Sequence, residues 1–156
     1  MDSTFGAPQT PNELKSDEKT LALFSHLSLF LGGILLPIIF WATNKDKSKF
    51  VTFHSLQAIW FHVVYIFVIV FGVMGMVIGG FGMSALFGGM GSSHTRSNTM
   101  PPVLIVLLIA FYGFLFLIIF AGIGYSIYMG VKAYHGEYKK YPVIGSIIYK
   151  KVYGVQ

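Results

Sequence analysis

The longest uncharged apolar run of this chain is VLIVLLIAFYGFLFLIIFAGIGYSIYMGV, residues 103–131. A transmembrane helix needs about 20 consecutive apolar residues, each rising about 1.5 Å along the helix axis. Two further runs reach that length: FHSLQAIWFHVVYIFVIVFGVMGMVIGG at residues 53–80, and the almost wholly apolar residues 21–42. The three runs predict an all-α integral membrane protein with about three transmembrane helices.

The composition excludes most soluble classes of protein. Of the 156 residues, 54% are hydrophobic and only 11% are charged, whereas soluble domains carry about 25% charged residues. A net charge of +5 would suit nucleic-acid binding in a soluble protein. Here the lysines flank apolar runs, so we expect the lipid bilayer as a partner and no nucleic acid. The chain contains no cysteine, which excludes a disulfide framework and a thiol nucleophile.

The N-terminal residues differ from the apolar centre of the chain. Residues 1–19, MDSTFGAPQTPNELKSDEK, are rich in proline, glycine and small polar residues. This composition predicts a mobile polar tail. Residues 20–156 are expected to form a single helical membrane domain.

The C-terminal stretch of about residues 142–153 is amphipathic, because its apolar side chains recur at helical spacing. It predicts an interfacial helix in the headgroup region. The alternative is that its apolar stripe packs on the protein's own helices. Four lysines flank the stretch and are the predicted contacts with anionic lipid headgroups: Lys139, Lys140, Lys150 and Lys151.

The distribution of charge leaves two topologies open. With three crossings, eight lysines lie on one side of the membrane, and two lysines and Arg96 lie on the other. If Gly32, Gly33 and Pro37 instead break the first run into a re-entrant hairpin, ten lysines share one side and Arg96 alone lies opposite. The length of the first run favours a crossing, and the charge count favours the hairpin. In both cases the positive-inside rule predicts a multi-pass inner-membrane protein with a cytoplasmic C-terminus.

Small residues predict where the helices pack. Gly122, Ser126 and Gly130 stand four residues apart, on one face of the third predicted helix. In lipid, small side chains let helix backbones approach closely, and van der Waals packing replaces the hydrophobic drive. This face is expected to contact another helix of the same chain. Contact with other membrane subunits, or with a second copy in a homo-oligomer, is the alternative.

A polar stretch, NKDKSKFVTFHSLQA at residues 44–58, leads into the second apolar run. His54 and Gln57 are three residues apart and share a helical face. Polar groups at membrane depth need hydrogen-bond partners. We therefore predict that both side chains point into the protein, where they fix the preceding loop or hold a partner.

No catalytic residues, metal site or cofactor are predicted. The acidic residues lie outside the apolar runs, and the sequence has no nucleotide-binding, zinc-protease or serine-hydrolase motif. Among the five histidines, His26 and His54 can approach each other only in the hairpin topology.

Three short motifs resemble those of a bacterial family of small uncharacterised membrane proteins: HLS at residues 26–28, GGILLPIIFW at 32–41 and the polar stretch at 44–58. The resemblance extends over about residues 21–149 and includes a Tyr-Pro pair at 141–142. That family is grouped with the channel-like subunit of the chloroplast inner-envelope protein import translocon. The chloroplast relatives have four helices, which is compatible with a hairpin in the first run.

The sequence thus predicts a non-enzymatic small membrane subunit that packs into a larger membrane protein assembly. Two other classes stay open. One is an oligomeric channel or translocon-like transport component, which the resemblance suggests. The other is a haem- or quinone-associated electron-transfer subunit.

Overall fold

The computed structural model describes residues 8–31, 33–89 and 102–154. Within these residues the chain is helical, without a strand, which confirms the all-α prediction. The helices are α1 (Ser16–Leu31), α2 (Leu35–Asn44), α3 (Lys49–Gly89), α4 (Pro102–Tyr134) and α5 (Ile144–Tyr153). Arg96 and much of the glycine- and methionine-rich loop at residues 79–100 lie outside the described residues.

The first predicted membrane segment, residues 21–42, consists of two helices instead of one. Gly33, between α1 and α2, has a φ of 58°, a left-handed conformation that glycine adopts without strain. Its amide donates to the carbonyl of Ser28 at 2.7 Å, which closes the C-terminus of α1. The two helices contact each other. The prediction of about three transmembrane helices is therefore not confirmed in the described part of the chain, because the first run is broken at its glycine.

Two helices are long and apolar enough to cross a membrane, Lys49–Gly82 within α3 and Pro102–Tyr134. Their large apolar side chains face outward: Phe71 is 65% exposed, Ile78 65% and Ile109 66%. A core helix of a soluble protein would bury such residues. Apolar surface of this extent is suited to lipid, so the structure supports a membrane protein.

The chain forms two compact units. One consists of Met1–Tyr65 together with Gly122–Gln156, and the other of Ile66–Ala121. In the second unit α3 and α4 approach at Gly72, where an added Cβ would lie 3.3 Å from Leu115 Cδ1. The buried side chains that can do chemistry belong to the first unit.

In the first unit the N-terminal residues pack against the segment that follows α4. The backbone amide of Gln9 donates to the hydroxyl of Tyr138 at 3.0 Å. Gly136 has a φ of 79°, and a Cβ added there would lie 3.0 Å from Pro11. Four side chains form a buried apolar cluster: Leu14, Ala22, Phe50 and Ala133. The start of α1, the start of α3 and the end of α4 therefore lie at the same end of the unit, and part of the stretch predicted as a mobile tail is packed there.

The amphipathic C-terminal stretch is helical as α5. Ile148 and Tyr153 are buried against Phe53 of α3. Part of the apolar stripe of α5 thus packs on the protein's own helices, whereas Val143 and Ile147 of the same stripe are exposed.

Candidate functional site

Polar side chains without exposed surface are concentrated in the first unit. Among the described residues eight are fully buried: Ser25, His26, Ser28, His54, Ser55, Gln57, His62 and Ser126. Tyr141 is 5% exposed and joins them through His26. We call these nine residues the polar cluster. In a membrane protein such a cluster marks a structural or functional centre.

The small-residue face of α4 contacts α1 and α3 of the same chain. A Cβ on Gly122 would collide with the ring of Tyr65. The hydroxyl of Ser126 donates to the backbone carbonyl of His26. A Cβ on Gly130 would lie 3.1 Å from Leu23 Cδ1 and 3.5 Å from His26 Cβ. All three residues thus lie where helices approach closely, and their use in contacts with other chains stays a prediction.

His26 lies at the centre of a hydrogen-bonded chain. Its Nδ1 is 3.1 Å from the hydroxyl of Tyr141, and its Nε2 is 3.1 Å from Nδ1 of His54. The Tyr141 O–H can donate to Nδ1 of His26, whose Nε2–H then donates to His54. The remaining N–H of His54 then interacts electrostatically with the backbone carbonyl of Glu137. One set of neutral tautomers is therefore consistent with all these contacts.

Burial keeps the side chains of His26 and Tyr141 uncharged. It lowers the pKa of His26 well below its ordinary value, and the neighbouring His54 and His62 lower it further. Burial also raises the pKa of the Tyr141 hydroxyl. At neutral pH the two groups therefore form neutral hydrogen bonds, which join α1, α3 and the α4–α5 linker without a buried charge.

Gln57 joins α3 to the linker between α4 and α5. Its Nε2 donates to the carbonyl of Lys139 at 3.2 Å, and its Oε1 accepts from the amide of Tyr141 at 2.8 Å. A Cβ on Gly145 would lie 2.6 Å from that same Oε1 and 2.8 Å from Lys140 Cα. Because Gly145 has no side chain, α5 can approach Gln57 this closely.

The four lysines predicted to contact headgroups lie outside the polar cluster. Lys139, Lys140, Lys150 and Lys151 are exposed. The ammonium of Lys140 lies 3.8 Å from the centre of the Tyr149 ring, a cation–π contact.

Sequence reasoning missed two features of the polar cluster. His26 was considered only as a possible partner of His54, and Tyr141 only as part of the Tyr-Pro pair. A second hydrogen bond links Ser25 and Ser55, at 2.9 Å between their hydroxyl oxygens. The available signal was the spacing of Ser25 and His26 on α1, which parallels that of Ser55 and His54 on α3, but spacing alone does not pair two helices.

His26 and His54 of the polar cluster contact each other directly. In the ranges that the structure describes, no group of three or more His, Cys, Asp or Glu residues could hold a metal ion. The facing nitrogens of His26 and His54 are 3.1 Å apart, which is a hydrogen-bond distance. Nε2 of His54 and both ring nitrogens of His62 are buried without a hydrogen bond of ordinary geometry.

Outward-facing apolar helices and an internal hydrogen-bonded joint define a small helical membrane protein. The model of the magnetosome magnetite crystal formation protein family matches residues 17–148. The chain belongs to this family. Comparisons with curated proteins and with solved structures give no match. The resemblance to a bacterial family of small membrane proteins is thereby confirmed, and the link to the chloroplast translocon is not.

Proposed function

We propose that this chain takes part in magnetite crystal formation as a non-enzymatic subunit of a membrane assembly. Membership of the family supports the first part of the proposal. The role as a non-enzymatic subunit is supported by the hydrogen bonds of the polar cluster. The hydrogen bonds of His26, Gln57 and Ser126 run to other helices or to the α4–α5 linker, so these side chains hold helices together.

The proposed place of action is the magnetosome membrane, with both ends of the chain on its cytoplasmic side. The start of α1, the start of α3 and the end of α4 share one end of the first unit, as the contacts of Gln9 and Phe50 indicate. All ten lysines of the chain then lie on that side. The positive-inside rule assigns such a side to the cytoplasm.

Crystal formation is tested in a magnetosome-forming bacterium from which the family's own members have been deleted. The parent chain is expected to restore the number and size of magnetite crystals seen by electron microscopy. Ser126→Leu should restore them poorly, because the larger side chain forces α4 away from His26. The matched control is Ile127→Leu, since Ile127 is 42% exposed on the same helix.

Two results would contradict the proposal. If the parent chain leaves the crystals of the deletion strain unchanged, the role in crystal formation is wrong. If Ser126→Leu restores crystals as well as Ile127→Leu does, helix packing through Ser126 is not required.

The assembly is tested by purifying the tagged chain from the same cells in a mild detergent. Foreign membrane subunits that co-purify with the parent, and are lost with Ser126→Leu, are the expected result. A homo-oligomer without foreign subunits would favour the transport alternative instead. A Soret absorption band would favour the electron-transfer alternative.

A further inference from the structure

The outward face of α5 carries apolar and basic side chains and no acidic one. Val143 is 79% exposed and Ile147, one turn later, is 62% exposed. Lys150 and Lys151 are exposed one turn further on. Residues 138–154 contain no Asp or Glu. Because the opposite face of α5 is buried against Phe53, this outward face is held in place as a rigid surface.

Val143 presents its side chain from an unfavourable backbone conformation. Its φ is 64° and its ψ is −64°, and the amide of Ile144 donates to the carbonyl of Pro142 across it at 2.7 Å. This is the rare γ-turn with positive φ. A β-branched residue is strained here, whereas glycine would not be. Since the exposed side chain gains little from packing, the strained valine points to a role for that side chain at the surface.

The membrane surface is within reach of this face. α4 ends at Tyr134 and α5 begins at Ile144, and the nine residues between them, 135–143, span at most about 30 Å when fully extended. The linker is shortened further by its two hydrogen bonds to Gln57. Lipid headgroups at the end of α4 are therefore close enough to contact the outward face of α5.

We propose that the outward face of α5 docks on anionic phospholipid headgroups. Val143 and Ile147 enter the interfacial region of the bilayer, and Lys150 and Lys151 bind lipid phosphates. Basic amphipathic helices bind in this way, through buried apolar area together with attraction to anionic lipid. The proposal goes beyond a role in crystal formation and does not depend on it.

The experiment uses the full chain, whose lack of native cysteine allows a single label. Val143→Cys carries a polarity-sensitive fluorophore, and the protein is reconstituted in vesicles with and without phosphatidylglycerol. Nitroxide-labelled lipids report contact with the bilayer by quenching. We expect strong quenching in the anionic vesicles and weak quenching in vesicles of phosphatidylcholine alone.

Charge removal separates lipid docking from general proximity to the membrane. Lys150→Gln with Lys151→Gln should lower the ratio of docked to undocked label by roughly thirtyfold, because each lysine near an anionic surface contributes about a fivefold factor. Lys45→Gln with Lys47→Gln removes the same charge from the exposed α2–α3 turn. This matched control should leave the ratio unchanged.

Three outcomes would overturn the proposal. A label at position 143 that stays unquenched in anionic vesicles shows that the face does not touch lipid. Equal quenching with and without phosphatidylglycerol shows that anionic headgroups are not its ligand. An equal effect of the two double substitutions shows that the lysines act only through total charge.

Discussion

His26 is the residue through which the helices of the first unit are most directly joined. Its ring contacts Tyr141 of the linker and His54 of α3, and its backbone carbonyl accepts from Ser126 of α4. A buried histidine in a neutral network is stabilising only while it stays neutral, because a buried charge without a partner is costly. The stability of the unit should therefore depend on pH.

Acidic pH is expected to destabilise the protein through His26. Burial keeps its pKa in the folded state well below the ordinary value of 6.5, so below pH 6.5 the unfolded chain binds more protons than the folded chain. The contribution of His26 to stability is thus complete above about pH 6.5 and is lost as the pH falls toward the folded-state pKa. Thermal unfolding in detergent should show a midpoint that declines on acidification, and His26→Gln should flatten the decline. His135→Gln, at an exposed position, should leave the dependence of the thermal midpoint on pH as it is in the parent. A thermal midpoint of the parent that does not change with pH would contradict this prediction.

Replacing the strained Val143 should stabilise the isolated protein. A residue in such a conformation carries about 1–3 kcal/mol of strain, and glycine relieves it at a cost of about 0.4–1 kcal/mol in the entropy of the unfolded chain. Val143→Gly should therefore raise the free energy of unfolding in detergent by about 1 kcal/mol. The control is Ile147→Gly, at a position within the regular helix α5. This variant should lower the free energy of unfolding by a few tenths of a kcal/mol. If both variants are destabilised alike, Val143 is not strained.

At the scale of whole elements, two glycines allow the close backbone contacts that position α5 and the turn between α1 and α2. Gly145 lets α5 lie against Gln57, and Gly33 lets the chain turn between α1 and α2. The tip of that hairpin exposes Leu31 and Leu35, at 64% and 66%. An apolar tip is suited to dipping into lipid and returning, which agrees with the re-entrant interpretation of the first run.

Gly145→Ala should loosen α5. The new methyl group would lie 2.6 Å from Gln57 Oε1 and 2.8 Å from Lys140 Cα, and overpacking of this kind costs about 1–3 kcal/mol. Hydrogen exchange of the α5 amides should become faster, and the thermal midpoint should fall. The matched control is Gly124→Ala in α4, where an added Cβ has no atom within 4 Å. Equal exchange in the two variants would show that α5 does not depend on this contact.

At the scale of the whole molecule, the contacts of the first unit bring the N-terminal residues, the α2–α3 turn and the C-terminal helix to one end. In the proposed topology, α3 and α4 cross the membrane and the chain returns to this side. The proposed topology is the second of the two that the charges allow, and it would place Arg96 alone opposite the ten lysines.

Cysteine labelling tests this topology in intact cells of a host without magnetosomes, where the chain inserts into the inner membrane. Single cysteines at Asn12, Lys47 and Gly154 are at exposed positions that lie on the cytoplasmic side in the proposed topology. All three should resist a membrane-impermeant thiol reagent until the cells are permeabilised. A cysteine at Ser93, in the sequence between the two spanning helices, should react without permeabilisation. Labelling at position 12 while position 47 is protected would restore the three-crossing topology.

The sequence by itself determined the helical membrane class, the two spanning helices and the existence of a helix at the C-terminus. These properties are local, because hydropathy and helical spacing can be summed along the chain without knowing what it contacts. The glycines of the first run also left the hairpin open as a second topology.

Only the tertiary structure decided how the polar residues are paired. His26 and Tyr141 are 115 positions apart, and Gln57 reaches a backbone amide 84 positions away. Nothing in local spacing distinguishes such partners from the other buried polar groups. The pairing follows from how closely the helix backbones approach each other. That approach depends on packing at Gly130 and Gly145, which have no side chain to keep the neighbouring element away. A missing side chain has this effect only where a second element packs against it, so the sequence alone does not reveal it.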